Sequence, residues 1–351
     1  MKRNLVAPLL FVPALLAMES RGDSPAFAPQ EGTVLKKVIE NQTDITLDDM
    51  EMSVNGQDMS EMLGDMELST STVLVTKVTD TYGGSSDGRP TKVTRTYEEL
   101  NSTQNATMTG GMMGGDGDGM EMLGSSELEG TTVLFTWDGD ADAYDIAFDE
   151  DSDADDELLE GLEEDMDLRE FLPDGEVGEG DAWDVDPSAL RSVLSPGGDL
   201  KVSLEDTGMG MGMGSSTPPN FGTYLQDFDG EITAKFEATE DGIAVISLAL
   251  DVSSSSDLTE FMEEMLAEQE MPEGMEIDIS IDAMDMEYTF EGEGELRWNL
   301  AGGTFESLEI EGEIEQISDS AMAMSMGGQE QAMEQSMSFS GTQTIEFSVD
   351  G

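Results

Sequence analysis

The sequence predicts an α+β fold: a large antiparallel β-sheet with amphipathic helices packed on one face. Three observations predict it. Runs rich in β-branched residues recur along most of the chain. Short acidic or glycine-rich turns join those runs, so neighbouring strands pair antiparallel. Two segments carry apolar residues at helical spacing instead.

Taken in order, Thr70–Thr79 (TSTVLVTKVT) is the first clear strand. Thr91–Tyr97 alternates behind the loop signal Gly83–Gly88. Thr131–Trp137 and Tyr144–Phe148 flank the acidic turn Asp138-Gly139-Asp140. Ile232–Ala238 and Ile243–Val252 flank Glu240-Asp241-Gly242 as a second hairpin. Glu276–Ile281, Glu287–Leu300, Thr304–Ile317 and Thr342–Val349 complete the strands, with Ala301–Gly303 as a turn. Trp137, Trp183 and Trp298 lie on strands, where aromatic burial is the default.

Asp257–Glu270 places Leu258, Phe261, Met262, Met265 and Leu266 on one helical stripe, with Asp257 as N-cap and Pro272 and Gly274 as the stop. Asp155–Arg169 places Leu158, Leu159, Leu162 and Met166 on another, stopped by Pro173 and Gly175. Pro187–Leu194 reads as a short helix capped by Asp186. The two longer helices each follow a hairpin and end in a matched Pro-x-Gly stop. That pattern suggests two similar halves, residues 29–206 and 223–351, joined by a Gly/Met/Pro-rich linker at 207–222. The halves then form either one curved sheet, a half-barrel, or two domains. Thr107–Met122, Thr207–Pro219 and Ala321–Met337 read as loops, because glycine and small polar residues bury too little area to offset ordering entropy.

Residues 1–28 read as a signal peptide. Lys2 and Arg3 precede the apolar run Leu5–Met18, which is short for a membrane span. Cleavage is expected after Ala26-Phe27-Ala28, with a cut nearer Ala17 as the alternative. The protein is therefore expected in the periplasm or outside the cell, with no integral membrane segment in the mature chain. The chain has no cysteine, so neither a lipid anchor on cysteine nor a disulfide is available.

Charge is the most extreme feature. There are 14 Lys plus Arg against 79 Asp plus Glu, a formal net charge of −65. A cut after Ala28 removes three basic and two acidic residues, leaving 11 minus 77, or −66. Such a field repels nucleic acid phosphates and attracts cations. Its self-repulsion costs stability, which salt relieves as the Debye length shrinks from about 10 Å at 0.1 M to about 3 Å at 1 M.

Catalysis finds little support. There is no histidine and no cysteine, so a Ser-His-Asp triad and His or Cys nucleophile chemistry are excluded. An enzyme is not expected; the one remaining catalytic reading is a hydrolase built on a pair of carboxylates across a cleft. For Ca²⁺, Asp138, Asp140 and Asp142 occupy positions 1, 3 and 5 of an EF-hand-like loop, with Asp149 at position 12. Ala143 stands where the loop wants Gly, and the flanks read as strands, so a solvated hairpin turn is the competing reading. For Cu(I) or Ag(I), methionines cluster at M-x-M spacing, at Met120 and Met122, at Met322, Met324 and Met326, and above all at Met209, Met211 and Met213, which offer thioethers, soft ligands in a glycine context. Methionines are equally suited to an adaptable apolar surface.

Residues Pro173 to Trp183 (PDGEVGEGDAW) resemble the "P, then V, then G-D-x-W" signature of bacterial exported β-rich domains of unknown function. The Glu291–Glu313 hairpin is similar to later hairpins of such proteins. Those families resemble the periplasmic lipoprotein-carrier half-barrels, and the resemblance implies an open β cup for an apolar molecule or lipid. The function expected is a non-catalytic exported protein, either an apolar-ligand binder or a surface scaffold. The alternative is a soft-metal or calcium binder.

Overall fold

The computed structural model describes residues 24–60, 66–110, 119–150, 152–204, 221–268, 277–326 and 329–350. Its strands are β1 (Val34–Val54), β2 (Gln57–Asp58), β3 (Glu67–Tyr82), β4 (Ser85–Ser86), β5 (Arg89–Pro90), β6 (Lys92–Thr109), β7 (Met120–Ser125), β8 (Thr132–Asp138), β9 (Ala143–Phe148), β10 (Ala182–Val185), β11 (Ser203–Leu204), β12 (Phe228–Glu240), β13 (Ile243–Asp257), β14 (Ile277–Asn299), β15 (Thr304–Met326) and β16 (Gln329–Asp350). Helix α1 is Ala189–Leu194 and α2 is Thr259–Glu268.

One antiparallel sheet runs β10-β12-β13-β14-β15-β16-β1-β3-β6-β7-β11, with β8 and β9 attached beside β6. The central seam pairs β1 with β16, from Lys36 opposite Asp350 to Val54 opposite Met333. Residues before 206 and after 223 thus share one sheet. β6 divides its partners: Asn101–Ala106 pairs β7, and Lys92–Thr96 pairs β8. β10 and β11 end the path without pairing to each other, so the sheet stays open.

Alternation assigns the faces. In β13, Leu248, Leu250 and Val252 are buried while Ala249 and Asp251 are exposed. Neighbouring strands add Phe290, Leu296 and Trp298, Leu308 and Ile310, and Ile345 and Phe347 to the same core. Each such side chain contributes about 1.5–3 kcal/mol of burial. Against this inner face lies the segment from about 156 to 204, through Leu162, Phe171, Leu190, Val193 and Leu200. Gly292 and Gly312 face each other across β14 and β15. A Cβ at either would come within 2.7 Å or 2.6 Å of the Phe290 ring. Glycine there lets the ring lie flat on the sheet.

The structure differs from the expectations in four places. The helix expected over Asp155–Arg169 is absent. Only 3₁₀ turns form, at Asp156–Leu159 and Arg169–Phe171. Gly161 and Leu168 adopt left-handed φ values of 77° and 58°, which no helix tolerates. Asp167 is drawn to the distant Lys37, and the Glu163 and Glu164 carbonyls accept from Arg95 instead of from helical amides. The two halves therefore do not match, since the later helix forms as α2 and the earlier one does not. The third difference is Ala321–Met337, which is no loop: β15 and β16 run through it, with Met322 paired to Met333. Its A-M-A-M-S-M alternation outweighs its small-residue content. Last, β1 carries no alternation legible from sequence, because its inward positions include Lys37 and Asn41, both buried. Of the other two expected loops, Thr107–Thr109 ends β6 and Met120–Met122 begins β7, while 111–118 and 207–219 lie outside the described residues.

Candidate functional site

Two features stand out on the inner face, one ionic and largely buried, the other apolar and half-open. The first gathers around Asp80 on β3. Arg95 of β6 clamps it with Nε and Nη2 at 2.8 and 2.9 Å, and Lys37 Nζ of β1 lies 2.8 Å away. Lys37 also contacts Asp167 at 2.6 Å, and the Tyr82 hydroxyl donates to the same carboxylate. Arg95 donates to the Glu163 and Glu164 carbonyls at 3.2 and 2.8 Å. Arg169 pairs with Glu164 at 2.5 Å, Asp165 at 3.1 Å and Asp167 at 3.7 Å.

Burial alone would push Asp80 up, but Arg95 and Lys37 outweigh it and hold the carboxyl down to about 2. Burial opposes the charge on Lys37, yet Asp167 and Asp80 leave its pKa raised. Burial dominates at Glu164, which is pushed up to about 7 against the pull of Arg169, and it also raises Asp165. Four carboxylates (Asp80, Glu164, Asp165, Asp167) face three cations (Lys37, Arg95, Arg169), so the cluster has room for one proton. Its chemistry is adhesive. It ties the 163–169 strap to three strands, and its charges are turned toward one another.

A polar seam crosses the sheet beyond this cluster. Tyr288 OH donates to Gln343 Oε1 at 2.6 Å, and Gln343 Nε2 donates to Asn41 Oδ1 at 2.7 Å. Past the seam, toward the β15–β16 turn, the inner face becomes apolar again. Register places Ile281, Met322, Met333 and Val54 in one row across β14, β15, β16 and β1. Two rows nearer the core stand Met286, Ser318, Met337 and Met50. Met284, Met337 and Leu47 pack on the main core yet stay only partly buried. This stripe is therefore continuous with the core and reachable from solvent. Sequence reasoning picked out the M-x-M spacing at Met322–Met326 but placed it in a loop, so the strand face it marks was missed.

The outer face is acidic. Glu291 lies opposite Glu313, Glu293 opposite Glu311, and Glu295 opposite Glu309, which also pairs with Glu346. Directly opposed like charges destabilise a sheet. A shallow groove of about 470 Å³ on this face is lined by Asp251, Glu291, Glu313 and Glu315, together with Thr289 and Thr342. Among the described residues, no group of three or more Asp or Glu is placed to hold a metal ion.

Asp138, Asp140 and Asp142 sit in the β8–β9 hairpin turn. Asp138 Oδ1 accepts from the Asp140 and Ala141 amides at 2.8 and 3.4 Å, which is turn chemistry. Asp142 pairs with Arg89 at 3.4 Å, and Arg89 stacks 4.1 Å over Trp137. Met209, Met211 and Met213 lie outside the described residues. Trp183 of the Pro173–Trp183 stretch sits on the edge strand β10 and donates to the Phe171 carbonyl at 3.0 Å. Trp298 is fully buried. No helix among the described residues is long and apolar enough to cross a membrane.

No protein family matches the chain, and no curated protein matches it. Among solved structures, the outer membrane protein OprG from Pseudomonas aeruginosa aligns over 91% of this chain and 99% of its own, at 6% identity and a TM-score of 0.22. A likeness of that size carries no inference about activity.

Proposed function

We propose that the protein is a non-catalytic, exported binder of an apolar molecule, held on the inner face of the open sheet. The observation that supports this is the stripe in which half-buried Leu47, Met50, Met337 and Met284 run between the buried Phe339 and Ile281. A sheet that needed only its own core would end its apolar face where the covering segment ends. Here the apolar rows continue past the 156–204 segment, with α2 covering only the β14 end of the stripe at Met284. An acyl chain or similar ligand matches the stripe in chemistry, and methionine lets the surface adapt to ligands of different shape. The acidic outer face keeps the protein from anionic membrane surfaces and nucleic acid.

The test is uptake of a fluorescent fatty acid by delipidated protein. Saturable binding is expected, with affinity falling at least tenfold in Met337→Arg while the melting temperature holds. Absence of saturable uptake, or equal uptake by the variant, overturns the reading.

Export carries its own expectation. Phe27 is buried, its ring 6.1 Å from Tyr82 and beneath the Arg169 guanidinium at 5.5 Å. Trp298 Nε1 donates to the Ala26 carbonyl at 3.3 Å, and the Ala28 amide to the Gly303 carbonyl at 2.9 Å. A cut after Ala28 would forfeit these contacts, and losing a buried phenylalanine costs about 3–5 kcal/mol. The cut nearer Ala17 is therefore favoured. Intact mass of the mature protein is expected to give a first residue at or before Ser24; a start at Pro29 would refute this.

A further inference from the structure

The methionines of the inner stripe are arranged as well as abundant. Met322 lies directly opposite Met333, and Met324 is two residues further along the same strand and face. Met337 lies directly opposite Met50, and Met52 is two residues further along that strand and face. Each group is thus an opposed pair plus one neighbour. Directly opposed Cβ atoms in such pairs stand about 4.5–5.5 Å apart, and diagonal ones somewhat further. Three rotatable bonds let each thioether reach toward a common point between them. All six side chains are partly exposed, so an ion has access. The chain has no cysteine and no histidine, so thioether sulfur is its only soft donor.

We propose that Met322, Met324 and Met333 form a three-thioether site for a soft monovalent cation of the Cu(I) class, and that Met50, Met52 and Met337 form a second. Hard cations prefer carboxylate and carbonyl oxygen, whereas thioethers select Cu(I). The two classes are spatially sorted here: carboxylates crowd the outer face, and methionines line the inner one. The acidic field raises the local concentration of any cation near the sheet. The sites then choose by softness.

This inference does not rest on the apolar-ligand reading, and the two are measured separately. Cu(I) is titrated anaerobically, with ascorbate, into the full mature protein in competition with bicinchoninate. The protein is expected to withdraw up to two Cu(I) ions. Replacing Met322, Met324 and Met333 together by leucine is expected to abolish one, and replacing Met50, Met52 and Met337 the other. Leucine conserves volume and apolarity, so the core is kept, and an unchanged melting temperature verifies it. The Met209→Leu, Met211→Leu, Met213→Leu variant is expected to retain both ions. Failure to withdraw Cu(I), retention of both ions in the two stripe variants, or loss in the Met209–Met213 variant alone overturns the proposal. Fatty-acid uptake in the leucine variants should persist, which separates the metal sites from the apolar surface.

Discussion

Asp80→Ala is expected to destabilise the protein by about 3–5 kcal/mol, the cost of breaking a buried ion pair from one side. Both oxygens of Asp80 are engaged, by Arg95 and by Lys37, and all three side chains are fully buried. Removing the carboxylate leaves a guanidinium with only backbone carbonyls of Glu163 and Glu164. Lys37 keeps Asp167 alone. At about 2 °C per kcal/mol for a chain of this size, the melting temperature should fall by roughly 6–10 °C. Asp142→Ala provides the control, because its pairing with Arg89 is solvent-exposed and such pairs contribute about 0–1 kcal/mol. Calorimetry of both variants decides the matter. Equal shifts for the two would show that the buried cluster is not what joins the 163–169 strap to the sheet.

Stability should also rise as pH falls from 8 to 5, the reverse of a protein with depressed carboxylates only. Glu164 is raised to about 7 when folded, against about 4.3 in the unfolded chain. Between those values the folded state holds a proton the unfolded state has lost. Stability therefore drops as pH climbs through that window and is flat above it. At about 1.4 kcal/mol per unit, this amounts to a few kcal/mol. Asp80 acts with the opposite sign. Its folded value of about 2 lies below the unfolded value of about 3.9, so its stabilisation is present above pH 4 and is lost as pH falls through 2. Greatest stability is expected near pH 4–5. Repulsion among the exposed outer-face charges is screened by salt, whereas pairing inside the buried cluster is screened much less. Urea unfolding at pH 8, 5 and 2.5, in 0.1 M and 1 M NaCl, separates the two. A pH 8 to 5 gain that survives 1 M NaCl belongs to the buried cluster. A gain that vanishes in salt would mean that Glu164 is ionised in the folded state.

What the sequence determined by itself was local. The hairpins β8–β9 and β12–β13, both ends of β14, β15 as far as Ile317 and the helix α2 follow from period, turn chemistry and caps, all of which act within a dozen residues. The charge and the lack of histidine and cysteine are likewise composition alone. Tertiary structure decided the rest. β1 was hidden because Lys37 and Asn41 break its apolar face, and only strands far along the chain supply the Asp80 and Gln343 that make them acceptable inside. Asp155–Arg169 has the apolar spacing of a helix, yet distant Lys37 holds its Asp167 carboxylate and distant Arg95 takes its Glu163 and Glu164 carbonyls, which leaves an irregular strap. The methionines at 322, 324 and 333 looked like low complexity until pairing of β15 with β16, and of β16 with β1, put them on one face beside Met337, Met50 and Met52. Register depends on partners more than 280 residues apart in the chain, such as Met50 and Met337, and no local pattern encodes which strand will lie alongside.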